Sequence, residues 1–208
     1  MPGKPRGLSC REDVLSPQEF NMLLFACNSL KDKFIVYLLV FSGLRVSELK
    51  HLRRSWVNIE ETTVTIPTRQ YCTCAECNYL NPKTGKYKYG IWKPKTKKGA
   101  RTILIHPMLL PVMREFLANN ESLGISRVAI WAHVKKIARQ AHIFRNVYPH
   151  CLRATAATML SLEKISAPSL KYTMGWSSLQ AAEDYIKSEM HQAHSELNQI
   201  YQKGTGRT

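Results

Sequence analysis

His150, Arg153, Trp176 and Tyr185 late in the chain, with Arg45 far upstream, are the side chains whose types and spacing could do chemistry. In His150-Cys151-Leu152-Arg153 an imidazole and a guanidinium stand three positions apart, which on a helix places them on one face. Pro149 just before them suits a helix start, where free backbone N–H groups favour an anion. Arg45, in Ser42-Gly43-Leu44-Arg45-Val46-Ser47-Glu48-Leu49, supplies a second guanidinium. Such forks match the oxygens of a phosphate and stay charged. Tyr185 offers a phenol, a poor nucleophile at its ordinary pKa of ~10 unless a neighbour assists proton removal. Together these groups could hold a phosphodiester, stabilise the charge that grows on its non-bridging oxygens, and attack phosphorus to form a covalent link. Taken singly, each has a plainer reading: a solvated helix face for His150 and Arg153, packing aromatics for Trp176 and Tyr185. The combination points to DNA strand cleavage.

These groups need a scaffold that brings residue 45 to residues 150–185. At 208 residues the chain fits one large domain, and a hydrophobic fraction of 44% supports an ordinary globular core. Its charge is not ordinary. With 30 Lys+Arg against 15 Asp+Glu, the net +15 sets up a field that attracts polyanions, nucleic acid first and anionic membrane second. The apolar run Phe34 to Phe41 is far short of the ~20 residues needed to span a bilayer. The basic start Met1-Pro2-Gly3-Lys4-Pro5-Arg6-Gly7 leads into no signal-peptide core. An intracellular protein is expected, in the cytoplasm, the nucleoid or a host nucleus.

Ser16-Pro17-Gln18-Glu19 has the hydroxyl cap, first-turn proline and reaching glutamate of a helix start. Phe20, Leu23, Leu24, Cys27 and Leu30 then recur at helical spacing, and Phe34 to Phe41 reads as a second, buried helix ending near Gly43. Ser47 is expected to open a short helix through Leu52. The β-branched runs at 62–67 and 101–105 read as strands of a small antiparallel sheet carrying an insertion, with a turn at Asn81-Pro82-Lys83-Thr84-Gly85. Helices follow at about 107–119, 126–142, 150–161, 166–173, 178–188 and 190–201. The fold class expected is α+β, predominantly helical. The expected division is a flexible basic lead-in over 1–12, a domain over 13–202 with an insertion at about 70–90, and a mobile tail over 203–208.

Arg45 in Gly43-Leu44-Arg45-x-Ser47-Glu48-Leu49, then His150-x-x-Arg153, Gly175-Trp176-Ser177-Ser178 and Tyr185 resemble the catalytic signature of tyrosine recombinases, the phage- and virus-type integrases. The likeness covers about residues 12–190, with Trp176 where many members have a histidine. Pro94-Lys95-Thr96 resembles the family's hairpin-lysine block, which implies Lys95, with Lys97 as runner-up, as general acid toward the leaving 5′-oxygen. The resemblance implies a tyrosine recombinase catalytic-domain fold, attack by Tyr185 to give a 3′-phosphotyrosine, and clamping by Arg45 and Arg153. It also implies assistance from His150, packing and an indole N–H from Trp176, and no metal in the cleavage step. It further implies double-stranded DNA as partner and a homo-tetramer on paired sites. The family's N-terminal DNA-clamping domain has no counterpart in residues 1–12, so weak specific binding by this chain alone is expected.

Cys72-x-Cys74-x-x-Cys77 departs from that pattern. The spacing is that of metal ligands, but structural zinc wants four, and Cys10, His51 and His106 are all candidates for the fourth. Reduced thiols in a variable loop are the plainer alternative. A metal here would stiffen the lysine hairpin rather than do chemistry. Arg53, Arg54, Lys93, Lys97, Lys98, Lys135, Lys136, Arg139 and Arg145 are read as further DNA contacts. Two rival functions share these residues: a type IB topoisomerase-like nicking-closing enzyme, and a non-catalytic DNA-binding module of the same fold. A zinc-dependent regulator ranks below both.

Overall fold

A buried helix carries the architecture. In a computed structural model that describes residues 14–187, α2 (Leu30–Phe41) buries Phe34, Ile35, Val36, Leu38, Leu39 and Val40. With apolar side chains on every side it can only be stable inside, and it packs against α4 (Leu110–Asn119), α5 (Arg127–Gln140) and α6 (Pro149–Leu162). Phe34 stacks on Phe116 with ring centres 3.9 Å apart. α1 (Pro17–Phe25) has the predicted capping box: Ser16 Oγ accepts from the Glu19 N–H at 3.2 Å, and Glu19 accepts from the Ser16 N–H at 2.8 Å. The stripe expected to run through Leu30 is split, because α1 ends at Phe25 and Ser29 caps a new helix.

α3 (Val46–His51) starts two residues earlier than expected. Arg45, not Ser47, occupies the cap position, and the Glu48 carboxylate reaches back to the Arg45 N–H at 2.8 Å. A short 3₁₀ turn then leads to β1 (Val57–Asn58) and β2 (Thr63–Ile66). β2 pairs antiparallel with β7 (Arg101–Leu104), placing Val64 opposite Ile103 and Ile66 opposite Arg101. Val64, Ile66 and Ile103 face inward, and so does Arg101, by the period of two that strands impose.

Between β2 and β7 lies the insertion, whose ladders are minimal: β3 (Gln70–Tyr71) with β6 (Ile91–Trp92), and β4 (Tyr79–Leu80) with β5 (Tyr87–Lys88). The predicted turn at 81–85 closes the second of these, with Gly85 at φ +62°. After α6 come α7 (Ala167–Met174) and a helical segment at 180–187. The predicted helical α+β class with a small antiparallel sheet holds. The helix expected at 190–201, the lead-in 1–12 and the tail 203–208 lie outside the described residues. Among the described residues, no helix is long and apolar enough to cross a membrane.

Candidate active site

The C-terminus of α7 is the organising point. A helix leaves its last carbonyls without intrahelical partners and carries a partial negative charge there. Gly175 ends α7 in a left-handed turn at φ +60°, with the Gly175 N–H donating to Tyr172 O and the Trp176 N–H to Lys171 O, both at 3.0 Å. Three guanidinia then take three consecutive carbonyls. Arg101 Nε donates to Thr173 O at 2.7 Å, an Arg153 nitrogen donates to Met174 O, and Arg45 donates to Gly175 O at 2.7 Å. Arg153 also donates to Gly43 O, at the turn between α2 and α3 where φ is +58°. Residues 43, 45, 101, 153 and 173–175 are thus one cluster built from four separate stretches of chain.

One carboxylate holds the cluster together. Glu48 is fully buried and pairs with Arg45 at 2.8 Å and with Arg101 at 3.2 Å through both oxygens. Burial alone would raise its pKa, but Arg101, and after it Arg153 and the Arg45 N–H, hold it below the usual carboxylate range. Arg153 is depressed to about 9, first by burial and then by Arg45, which still leaves it charged at neutral pH. Three cations against one anion leave a local charge of +2. The Arg45 side chain is 17% exposed, that of Arg101 0%, and Arg153 only 4%. Arg101 therefore acts on its neighbours, and Arg45 is the member of the cluster that solvent reaches most.

The expected aromatic pair also meets. Trp176 stacks on Tyr185 with ring centres 5.3 Å apart and planes 17° from parallel. Tyr185 is only 9% exposed, packed with Ala157, Leu170, Met174 and Ala182, and it lies within electrostatic reach of Arg153. His150 and Arg153 do share the start of α6, behind Pro149 at the first position. Neighbours at helical spacing, they sit at the edge of its buried face, His150 exposed and Arg153 buried.

Lys95 and Lys97 stand exposed in the loop before β7, on either side of Thr96, whose hydroxyl turns inward. The loop is fixed at its base, where Gly99 O accepts from Arg101 at 2.8 Å. Neither lysine makes an ion pair among the described residues, and the structure does not choose between them. Of the basic residues read as DNA contacts, Lys135, Lys136 and Arg139 are exposed on α5. Arg145 is not free for that role: it pairs with Glu19 at 2.7 Å and donates to Val14 O.

Two residues escaped the sequence reading. Glu48 stands within the Arg45 block as a carboxylate three after a helix-start residue, which is a capping signal. Arg101 was read only as the start of a strand, although alternation with Ile103 aims it at the core.

Residues 13–192 match the phage integrase family. A tyrosine recombinase of Pseudothermotoga lettingae is 25% identical over 193 residues, covering 92% of this chain and 62% of that protein. The tyrosine recombinase XerD of Bifidobacterium longum is 24% identical over 199 residues, covering 87% and 60%. The chain thus spans about three-fifths of the length of these relatives. Among solved structures, the XerA recombinase superposes with a TM-score of 0.66 at 20% identity over 93% of this chain and 66% of that one. The Tn1549 transposon integrase in complex with a circular intermediate DNA gives 0.65 at 19% identity over 91% and 67%.

Proposed function

The chain belongs to the phage integrase family, and on that premise we propose that it is the catalytic domain of a site-specific DNA recombinase working through a covalent 3′-phosphotyrosine. The observation that carries this reading is the seating of three guanidinia on the carbonyls of residues 173–175, directly before Trp176 and Tyr185. A phosphodiester entering beside Arg45 meets a preorganised local charge of +2, which strengthens its hold as charge grows on the non-bridging oxygens.

In the proposed reaction the Tyr185 oxygen bonds to phosphorus and the bond to the 5′-oxygen breaks. His150, exposed at the start of α6, assists removal of the phenol proton, and Lys95 protonates the leaving oxygen. The link stores the bond energy, so rejoining needs no nucleotide cofactor. Cationic side chains supply the charge stabilisation, so the step proceeds without added divalent ions. Tyr185 is held against Trp176 and the apolar cluster. The partner is double-stranded DNA, and complete exchange requires copies of the chain on paired sites.

A nicked duplex that loses its 5′-hydroxyl fragment after cleavage tests the proposal by trapping the protein–DNA adduct. Arg45→Ala or Arg153→Ala each lowers the trapping rate about 100- to 1,000-fold. Normal trapping by the double variant would refute the clamp. Relaxation of supercoiled plasmid with no exchange products under synapsis conditions would move the assignment to a nicking-closing enzyme.

A further inference from the structure

We infer that His51, Cys72, Cys74 and Cys77 form a tetrahedral structural zinc site joining the end of α3 to the insertion. The ligand atoms of all four residues lie within 4.8 Å of one another. Bond lengths of zinc to thiolate and imidazole imply sulfur–nitrogen edges of about 3.6 Å in a tetrahedron. The Cys74 and Cys77 sulfurs each stand 3.5 Å from His51 Nε2, so two of the three sulfur–nitrogen edges are already close to that length. His51 is prepared for the role, since its Nδ1–H donates to Ser47 O at 2.7 Å and leaves Nε2 facing the sulfurs. The structure also chooses among the fourth ligands left open by the sequence. His106 stacks on Phe41 and accepts from the Met108 N–H, away from the thiols. Cys10 lies outside the described residues.

The surroundings fit a closed, structural site. His51, Cys72 and Cys77 are buried, and four protein ligands leave no position for a substrate. Binding one Zn²⁺ releases the three thiol protons and leaves the centre with charge −1. Lys50 Nζ, 3.2 Å from Cys74 Sγ, offsets that charge. The insertion has need of such a tie. Its two ladders are two residues long, and Tyr71, Tyr79, Leu80, Tyr87 and Tyr89 are exposed, too little core to order it. Its anchors are the four-residue cluster, the stack of Trp92 on His51 at 5.2 Å, and Glu76 between Lys50 and Arg127. The metal would therefore fix the helix that begins with Arg45 and Glu48 to the segment that runs into the Lys95 loop.

The test is metal content of the full chain purified under reducing conditions, followed by cobalt substitution. Expected are one zinc per chain and, with Co²⁺, thiolate charge-transfer and intense tetrahedral d–d bands that zinc abolishes. Cys77→Ser and His51→Gln should each weaken zinc binding at least about tenfold, while His106→Gln keeps it. Chelation should speed amide exchange across 70–92 before it affects α2. A reduced, folded parent chain that binds neither metal would overturn the inference. So would a weak octahedral cobalt spectrum, or a disulfide among the three cysteines of the protein isolated without oxidant. The parent chain alone decides these outcomes, so a variant that fails to fold leaves the test intact. None of the readouts involves DNA, so its failure is separate from failure of the recombinase proposal.

Discussion

At the scale of residues, three guanidinia packed together would repel one another without Glu48 between two of them. Removing one member of a buried ion group leaves its partners charged and unpaired, at a cost of about 3–5 kcal/mol. Glu48→Ala is therefore expected to lose that much stability in a urea melt and to cut covalent trapping as well, because Arg45 loses its anchor. A melt unchanged within error would show that the carboxylate holds nothing. The residues proposed to do the chemistry, Arg45, His150, Arg153, Trp176 and Tyr185, stand out in the sequence by type and spacing. Glu48 and Arg101 were harder to read: capping spacing and strand alternation mark them locally, but not that they meet each other across 53 positions or that Arg101 meets Thr173 across 72. The seating of Arg153 on Met174 O was hidden for the same reason, and its spacing from His150 suggested more exposure than it has.

At the scale of elements, the C-terminus of α7 positions the arginines, and Gly175 is where this can be tested. A side chain there would sit in the left-handed region at φ +60°, with its Cβ 2.7 Å from an Arg101 nitrogen and 3.2 Å from one of Arg45. Gly175→Ala should cost about 1–2 kcal/mol in backbone strain, and the displaced guanidinia should slow trapping about 100-fold. Equal trapping rates would mean that the turn does not place the clamp. The capping box of α1 gives a pH test. Glu19 is lowered to about 2, mainly by the hydrogen bond from Arg145, so its contribution is present above the ordinary value of 4.5 and is lost as pH falls toward 2. The stability gap between the parent and Glu19→Gln should be full at neutral pH and close below pH 4.5; a gap that persists undiminished near pH 2 would contradict it. Caps and alternation made these elements legible. The boundary at residues 26–29 was not, because the apolar spacing carries on through a break that only the Ser29 cap announces.

At the scale of the whole molecule, the charge of +15 is the property that a polyanion meets first. Binding to duplex DNA should weaken steeply with salt, and replacing Lys135, Lys136 or Arg139 on α5 by Ala should each lower the log–log slope by about 1 if that residue meets a phosphate. An unchanged slope would assign that charge to solvent. The fold class and the family could be read from motif order, whereas the convergence of His51 on the cysteines could not, since 21 positions and three strands separate it from Cys72. Covalent joining of Tyr185 to DNA is tested most directly by mass spectrometry of the adduct trapped on a nicked duplex. The account predicts a nucleotide-modified peptide carrying the mass on Tyr185, and no adduct from Tyr185→Phe although that variant still binds the duplex. An adduct on another residue, or one undiminished in Tyr185→Phe, would contradict it.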